Sequence, residues 1–262
     1  MEFYTSIAPF YDLIFPFDET QIAFLNAVLE PAVYKIDGVR SGEKSVPHRS
    51  FLDIGCGSGT ILSEYSDRFD KLVGIDLDPE LLKLAARKLF PGEENKVELL
   101  EEDIMEMENV FRTDCFSFIT CLGNTLPHLT GPGNIPNFLK MVYERLESEG
   151  VFVFQTINYD RILDDGLRGL QTIENGEVSF ERYYSAPKNN GLIDFDTILT
   201  DAGNEFEVTN TVELFPVRKA QIEKYLQAAG FKNCHFYGSY RGEPYREESM
   251  LCIGVCAKKT VQ

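Results

Sequence analysis

The stretch Phe51-Leu52-Asp53-Ile54-Gly55-Cys56-Gly57-Ser58-Gly59-Thr60 constrains this chain more than any other. A mostly apolar run reads as a buried strand, alternating glycines as a tight turn, and a helical rhythm resumes at once. A second strand, Lys71 to Ile75, ends in Asp76, seventeen residues past Gly59. A strand, a turn that lets a ligand approach the backbone, a helix start and a carboxylate on the next strand describe a nucleotide or nucleoside site. Spacing separates the two. Dinucleotide turns follow G-x-G-x-x-G, whose third glycine packs helix on strand; here the pattern is G-x-G-x-G, and Thr60 stands where that glycine would fall.

The alternation continues. Strands are predicted at 51–54, 71–76, 96–101, 115–121 and 151–157, with helices at 59–69, 79–89 and 135–147 between them. Pro79 and Pro136 sit in first turns, where a missing N–H costs nothing. Units of this length imply parallel strands covered on both faces. Before them, residues 3–36 carry two helical apolar rhythms, and 37–50 reads as a polar connector. After Ile157 the period changes: 177–184, 192–200 and 205–214 are rich in β-branched and aromatic residues separated by turn formers. A helix at 218–229 and strands at 231–237 and 249–257 restore the first pattern. The expected fold is therefore α/β: a doubly wound, mostly parallel seven-stranded sheet with an N-terminal helical cap and an antiparallel β insertion. Residues 1–158 and 215–262 form the main domain, and 159–214 a lid inserted after the fifth strand.

Composition removes several classes of partner. With 42 acidic against 25 basic residues the net charge is −17, which repels phosphate backbones and anionic lipid, so neither nucleic acid nor membrane is expected. No apolar run reaches the roughly 20 residues a bilayer demands, and the start has no basic region leading into an apolar core; a cytoplasmic location is expected. The six cysteines form no C-x-x-C and read as small buried hydrophobes. Three histidines without ligand spacing give no metal site. Oligomeric state is left open.

Positions at the carboxyl edge of the sheet are the candidates for chemistry. Gly55, Cys56, Gly57 and Gly59 form the turn, and Asp53 lies just inside it. Asp76 is placed to accept both hydroxyls of a ribose, with Leu77 over the base, because capping the next helix falls to Asp78. Asp103 and Ile104, after the third strand, are placed for the base's amino group and ring. Cys121, Leu122, Gly123 and Asn124 close the fourth strand; Asn124 offers both a donor and an acceptor, and His128 follows in the same loop. Asn158 and Tyr159 leave the fifth strand, with Asp160 a candidate helix cap. Tyr4 and Tyr11 on the N-terminal segment can cover the ligand, and Arg182, Tyr183 and Tyr184 line the insertion.

Together these motifs resemble class I S-adenosylmethionine-dependent methyltransferases. Two stretches, 121–129 (Cys-Leu-Gly-Asn-Thr-Leu-Pro-His-Leu) and 158–163 (Asn-Tyr-Asp-Arg-Ile-Leu), resemble the glycine and sarcosine N-methyltransferases, over about residues 3–258. The resemblance implies S-adenosylmethionine as cofactor and a small-molecule methyl acceptor. It assigns Gly55, Asp76 and Asp103 to the cofactor and sets Leu122, Gly123 and Asn124 beside the methionine end and the acceptor nitrogen. Asp53 is expected to receive the cofactor's amino group or the loop's own N–H groups. The glycine enzymes carry a carboxylate-gripping arginine just before the Asn-Tyr-Asp run, where this chain has Ile157. Arg161, Arg168 or Arg182 would have to replace it.

Displacement at a sulfonium needs no acid for its leaving group, so the absence of a Ser-His-Asp or paired-carboxylate pattern fits amine methylation by proximity. Asn124, His128 and Tyr11 are the candidates nearest the reacting centre, and Asn158, Tyr159, Arg182 and Tyr184 those for the acceptor. An oxygen or carbon acceptor would need a general base, for which His128 is the near candidate. A nicotinamide dehydrogenase is disfavoured by Thr60 and by the lack of a tyrosine-lysine pair. A non-catalytic sensor using the same pocket stays open.

Overall fold

The computed structural model describes residues 2–30, 49–89, 97–203 and 206–258. The end of the second predicted N-terminal helix (31–36) and nearly all of the 37–50 connector lie outside them.

Three short helical pieces open the chain: α1 (Glu2–Ile7), α2 (Tyr11–Ile14) and α3 (Glu19–Leu29), the last capped by Asp18, which accepts the Thr20 N–H. The α/β unit follows as β1 (Ser50–Ile54), α4 (Thr60–Tyr65), β2 (Lys71–Asp76), α5 (Pro79–Leu89), β3 (Val97–Glu101), α6 (Met107–Phe111), β4 (Phe116–Cys121), α7 (Asn134–Arg145) and β5 (Leu146–Ile157). After α8 (Tyr159–Asp164) come β6 (Gly169–Glu174), β7 (Val178–Tyr184), β8 (Ile193–Asp201) and β9 (Glu207–Leu214). The chain then returns through α9 (Lys219–Ala229), β10 (Asn233–Tyr237) and β11 (Leu251–Ala257).

The seven-stranded sheet has the order β10-β11-β5-β4-β1-β2-β3, with β11 antiparallel to its neighbours β10 and β5. The order reverses between β1 and β4. Loops leaving those two strands in opposite directions open a crevice at the carboxyl edge. Strands buried on both faces require helices on both. Leu52, Ile54, Val73, Ile119 and Phe152 pack toward Phe138, Leu139 and Val142 of α7 and Ile222 and Leu226 of α9. Phe51, Leu72, Phe118, Val153 and Ile253 pack on the other face with Phe24, Leu25 and Val28 of α3 and Leu62 and Tyr65 of α4. Each such fully buried side chain contributes about 1.5–3 kcal/mol, so the sheet is a rigid base for the loops at its edge.

The second sheet is an antiparallel meander, β6-β7-β8-β9. Phe3 and Ile7 of α1 and Ile14 of α2 pack on its Val178, Phe180 and Leu199. The opening helices thus bury their apolar face against the insertion, while α3 packs on the main sheet.

Strand β6 completes the four strands of the insertion, its pairing with β7 slipping between Leu170 and Ile173. Two expectations need correction. Helix 59–69 stops at Tyr65, where the Ser66 and Arg68 N–H groups fall into successive turns on Ser63 and Tyr65. Second, Cys234 and Cys256 are not free hydrophobes. They face each other across β10 and β11, Cα atoms 4.2 Å apart, and form a disulfide; Cys56, Cys121 and Cys252 are the buried free thiols and Cys115 is exposed.

Candidate active site

The turn after β1 is held by the neighbouring strand. Gly55 N–H and Cys56 N–H both donate to the Ile75 carbonyl, at 2.8 and 3.1 Å, and Gly57 N–H donates to Asp76 Oδ2 at 2.8 Å. Gly55, Gly57 and Gly59 all have positive φ, which glycine adopts without strain. A Cβ on Gly55 would lie 2.5 Å from Thr125 Oγ1, and one on Gly57 2.9 Å from the Tyr11 hydroxyl. The turn is bare backbone under two side chains, a cradle that any other residue would fill.

Asp76 serves the turn and the next helix together. Its Oδ1 accepts the Asp78 N–H at 2.9 Å, while Asp78 caps α5 by accepting the Glu80 and Leu81 N–H groups. Burial pushes the Asp76 carboxyl up, partly offset by those backbone donors. Asp53 is buried at 3% exposure, accepts the Thr120 hydroxyl at 2.6 Å, and is pushed by burial to about 7.

Two hollows flank this turn. One, about 570 Å³, is lined by Leu77, Pro79, Glu101, Glu102 and Asp103 with Thr5 and Ser6 from α1. Leu77 is exposed there, as a cover for a base requires. Asp103 also caps the turn after β3 by accepting the Met105 N–H, whereas Ile104 is buried in the core. The other hollow, about 620 Å³, has a floor of Asp53, Gly55, Cys56, Leu122, Gly123 and Asn124. Phe3, Tyr4, Tyr11 and Phe15 come from the N-terminal segment, Gln155 and Ile157 from β5, and Leu170, Arg182, Tyr184 and Phe195 from the insertion.

Asn124 lines the hollow with its carboxamide committed: Oδ1 accepts the Ile157 N–H at 2.9 Å and Nδ2 donates to the buried Tyr159 hydroxyl at 3.0 Å. The carboxamide thus ties the end of β4 to the end of β5. Asn158, not Asp160, caps α8: its Oδ1 accepts from Asp160 and Arg161 N–H, and its Nδ2 donates to the Glu247 and Ser249 carbonyls. Asp160 instead pairs with Arg218 at 2.9 Å. Cys121, Asn158 and Tyr159 are not on the cavity surface.

Other contributors join segments far apart in sequence, where no local pattern marks them. Tyr4 and His128 share a 2.9 Å hydrogen bond between the phenol and Nε2. Burial lowers His128 to about 4 and raises the Tyr4 phenol, so both are neutral near pH 7. Gln155 Oε1 accepts the Gly123 N–H at 2.9 Å. Lys88 Nζ bridges Asp12, Ser58 and Thr60 at 2.8–2.9 Å, locking α2 and α5 onto the start of α4. Thr5 donates to Asp78 Oδ2 at 2.6 Å, a second tie from the N-terminal helices to the cofactor side.

Residues 51–150 match a family model described as a methyltransferase domain. A glycine/sarcosine N-methyltransferase of Aphanothece halophytica is 24% identical over 211 residues, 79% of this chain and 75% of that one. In structure the chain resembles an S-adenosylmethionine-dependent methyltransferase from Clostridium acetobutylicum, with a TM-score of 0.75 at 19% identity, covering 98% and 99% of the two chains. It also resembles an S-adenosylmethionine-bound amino pentose methyltransferase from Micromonospora echinaspora, with a TM-score of 0.64 at 19% identity over 92% of each. The glycine cradle, the carboxylate after β2 and the exposed apolar cover after it all lie within the matched residues 51–150, a methyltransferase domain, and the chain has the fold of the S-adenosylmethionine-dependent methyltransferases.

Proposed function

We propose that the enzyme methylates the nitrogen of a small-molecule amine. When bound, S-adenosylmethionine supplies an electrophilic methyl group on a sulfonium. In this reading Gly55, Cys56, Gly57 and Gly59 seat its methionine portion, Asp53 receives its ammonium, Asp76 its ribose, and Leu77 and Asp103 its base. Residues 159–214, together with α1 and α2, form the lid that closes the acceptor side.

The observation that carries the nitrogen assignment is the Tyr4–His128 pair in the cavity wall, hydrogen-bonded to each other at 2.9 Å. Burial lowers the imidazole and raises the phenol, so both favour their neutral forms near pH 7. A hydroxyl acceptor would want a base matched to the working pH, and an imidazole lowered to about 4 is a poor one. An amine already carries its lone pair. It needs only to arrive unprotonated, and burial in an aromatic cavity favours that neutral form. Gly123 and Asn124, with φ of 67° and 69°, are held by Gln155, Ile157 and Tyr159, so proximity to a fixed edge supplies most of the rate. Two of the relatives support the reading by name, a glycine/sarcosine N-methyltransferase and an amino pentose methyltransferase, while another is named an O-methyltransferase.

The test is formation of S-adenosylhomocysteine against matched amines, alcohols and carbon acids. Turnover confined to amines is expected. Turnover with alcohols or carbon acids alone would overturn the nitrogen assignment.

A further inference from the structure

Basic side chains are scarce in this chain, and several of them are paired with acids. Lys88 meets Asp12, Lys188 meets Asp194 and Glu213, Arg161 meets Asp165, Arg218 meets Asp160 and Asp164, and Lys219 meets Glu223. Arg182 differs in its place: it lines the acceptor cavity, and among the described residues no carboxylate pairs with it. One Nη2 hydrogen goes to the Gln171 carbonyl at 2.6 Å, and Nε is buried without an acceptor.

The residue across the strand repeats the anomaly. Arg182 is in register with Thr197 on β8 and Leu170 on β6, and directly opposed residues share a face of the sheet. Thr197 is 2% exposed, and its Oγ1 also lacks a partner. Two unsatisfied polar groups side by side are costly to bury, about 1–3 kcal/mol each. Among the described residues that line the cavity, Arg182 is the one lysine or arginine, so an anionic group entering the cavity meets its charge there.

Position on the sheet sets how far this charge stands from the reacting nitrogen. Tyr159, bonded to Asn124, lies against Tyr184, with ring centroids 6.3 Å apart. Tyr184 stacks on Phe195. Arg182 is one rung beyond that pair, roughly 7 Å along the strand, and the Gln171 carbonyl holds its guanidinium on β6.

We infer that the methyl acceptor is an amine bearing an anionic group, a carboxylate or a phosphate, set several bonds from its nitrogen and received by Arg182 with Thr197. This rests on the amine reading above and adds the acceptor's charge and length. It disfavours glycine, whose two functional groups are too close together to reach both ends, and it agrees with Ile157, an apolar cavity residue where the glycine enzymes carry arginine. Leu170, Tyr184 and Phe195 then cover the apolar part between the ends.

The test uses the full-length enzyme and a series of ω-amino acids from glycine to 6-aminohexanoate, with the corresponding amides and ω-aminoalkyl phosphates. Initial rates are read as S-adenosylhomocysteine formed, and binding by calorimetry in the presence of S-adenosylhomocysteine. The longer acids or phosphates are expected to exceed their neutral counterparts about a hundredfold in kcat/KM, the worth of a charge-assisted hydrogen-bond pair. Whichever anion gives the larger ratio identifies the group. R182Q should abolish this preference while leaving the affinity for S-adenosylhomocysteine unchanged, which shows that the variant is folded. R182K and T197V should be intermediate, since lysine keeps the charge without the fork. The inference fails if glycine is the best acceptor, if acid and amide react alike, if R182Q leaves their ratio intact, or if no anionic member binds or reacts at millimolar concentration. Equal turnover of neutral and anionic amines would sink it while leaving amine methylation standing. Turnover of alcohols alone would remove the amine reading itself.

Discussion

The two halves of the cleft are built by different means. The half proposed for the cofactor is mostly backbone: a glycine turn hung from the Ile75 carbonyl, with carboxylates at the ends of β1 and β2. The acceptor half is mostly side chains, brought from α1, α2 and the insertion sheet onto the edge of a sheet they do not belong to. A backbone turn tolerates no substitution that adds a Cβ, whereas a wall of side chains can be rebuilt one residue at a time. The geometry thus places a fixed chemistry beside an adjustable choice of acceptor.

The contrast breaks first at Asp76, if it breaks. Asp76→Ala removes the acceptor for the Gly57 and Asp78 N–H groups together with the proposed ribose contact. Two charge-assisted bonds and a loosened turn should raise the dissociation constant for S-adenosylhomocysteine by roughly a hundredfold or more. Calorimetry on the folded variant checks this. An unchanged constant would remove Asp76 from the site and with it the claim that the backbone half is preorganised by β2.

A second, smaller effect is expected at Asp53, and here pH separates stability from binding. The folded carboxyl titrates at about 7 because it is buried, whereas an unfolded aspartate titrates near 3.9. The folded state therefore holds the proton more tightly. The contribution of this carboxyl to the stability of the cofactor-free protein is fullest below about 4, declines as pH rises through this interval and is gone above about 7, a loss on the order of 4 kcal/mol. Binding runs the other way. A cationic ammonium requires the ionised carboxylate, so affinity for S-adenosylmethionine should rise up to tenfold per unit until about pH 7 and then level off. Asp53→Asn should raise the melting temperature at pH 8, flatten the pH dependence and weaken binding by tens of fold. A variant that binds as tightly as the parent at pH 8 would contradict the ammonium contact.

This division also explains what could be read from sequence. Strand β2 and helix α5 begin and end where the apolar pattern and Pro79 put them, and the glycine turn and Asp76 occupy the carboxyl edge as expected. Those features follow from local periodicity and backbone conformation, which neighbouring residues dictate. The acceptor half depends on contacts across long separations. Tyr4 meets His128 over 124 residues, and Gln155 reaches Gly123 over 32. No window of sequence contains such a pair. Asn158 is a different case: an asparagine immediately before a short apolar helix is a favoured cap, but its place at the carboxyl end of the fifth strand points equally to a substrate wall. The Cys234–Cys256 bridge joins strands that pair only once the sheet has formed, and spacing alone does not single it out.

The smallest effect is predicted at His128, and it is the sharpest test of which acceptor the side-chain half is built for. His128 hydrogen-bonds Tyr4 and is held at about 4 by burial. If it only positions the N-terminal segment, His128→Ala removes one hydrogen bond whose net worth is about 1 kcal/mol. The rate with an amine acceptor should then fall by less than about fivefold, and kcat should show no inflection from this residue between pH 6 and 8, because its titration lies well below that range. A general base would behave otherwise. Its loss costs on the order of 10²–10⁴, and the acid limb of the pH profile would disappear with it. A large loss in the alanine variant, with affinity for S-adenosylhomocysteine intact, would show that the Tyr4–His128 pair takes the acceptor's proton. The oxygen or carbon reading would then replace the amine, because a neutral amine attacks with the lone pair it already holds.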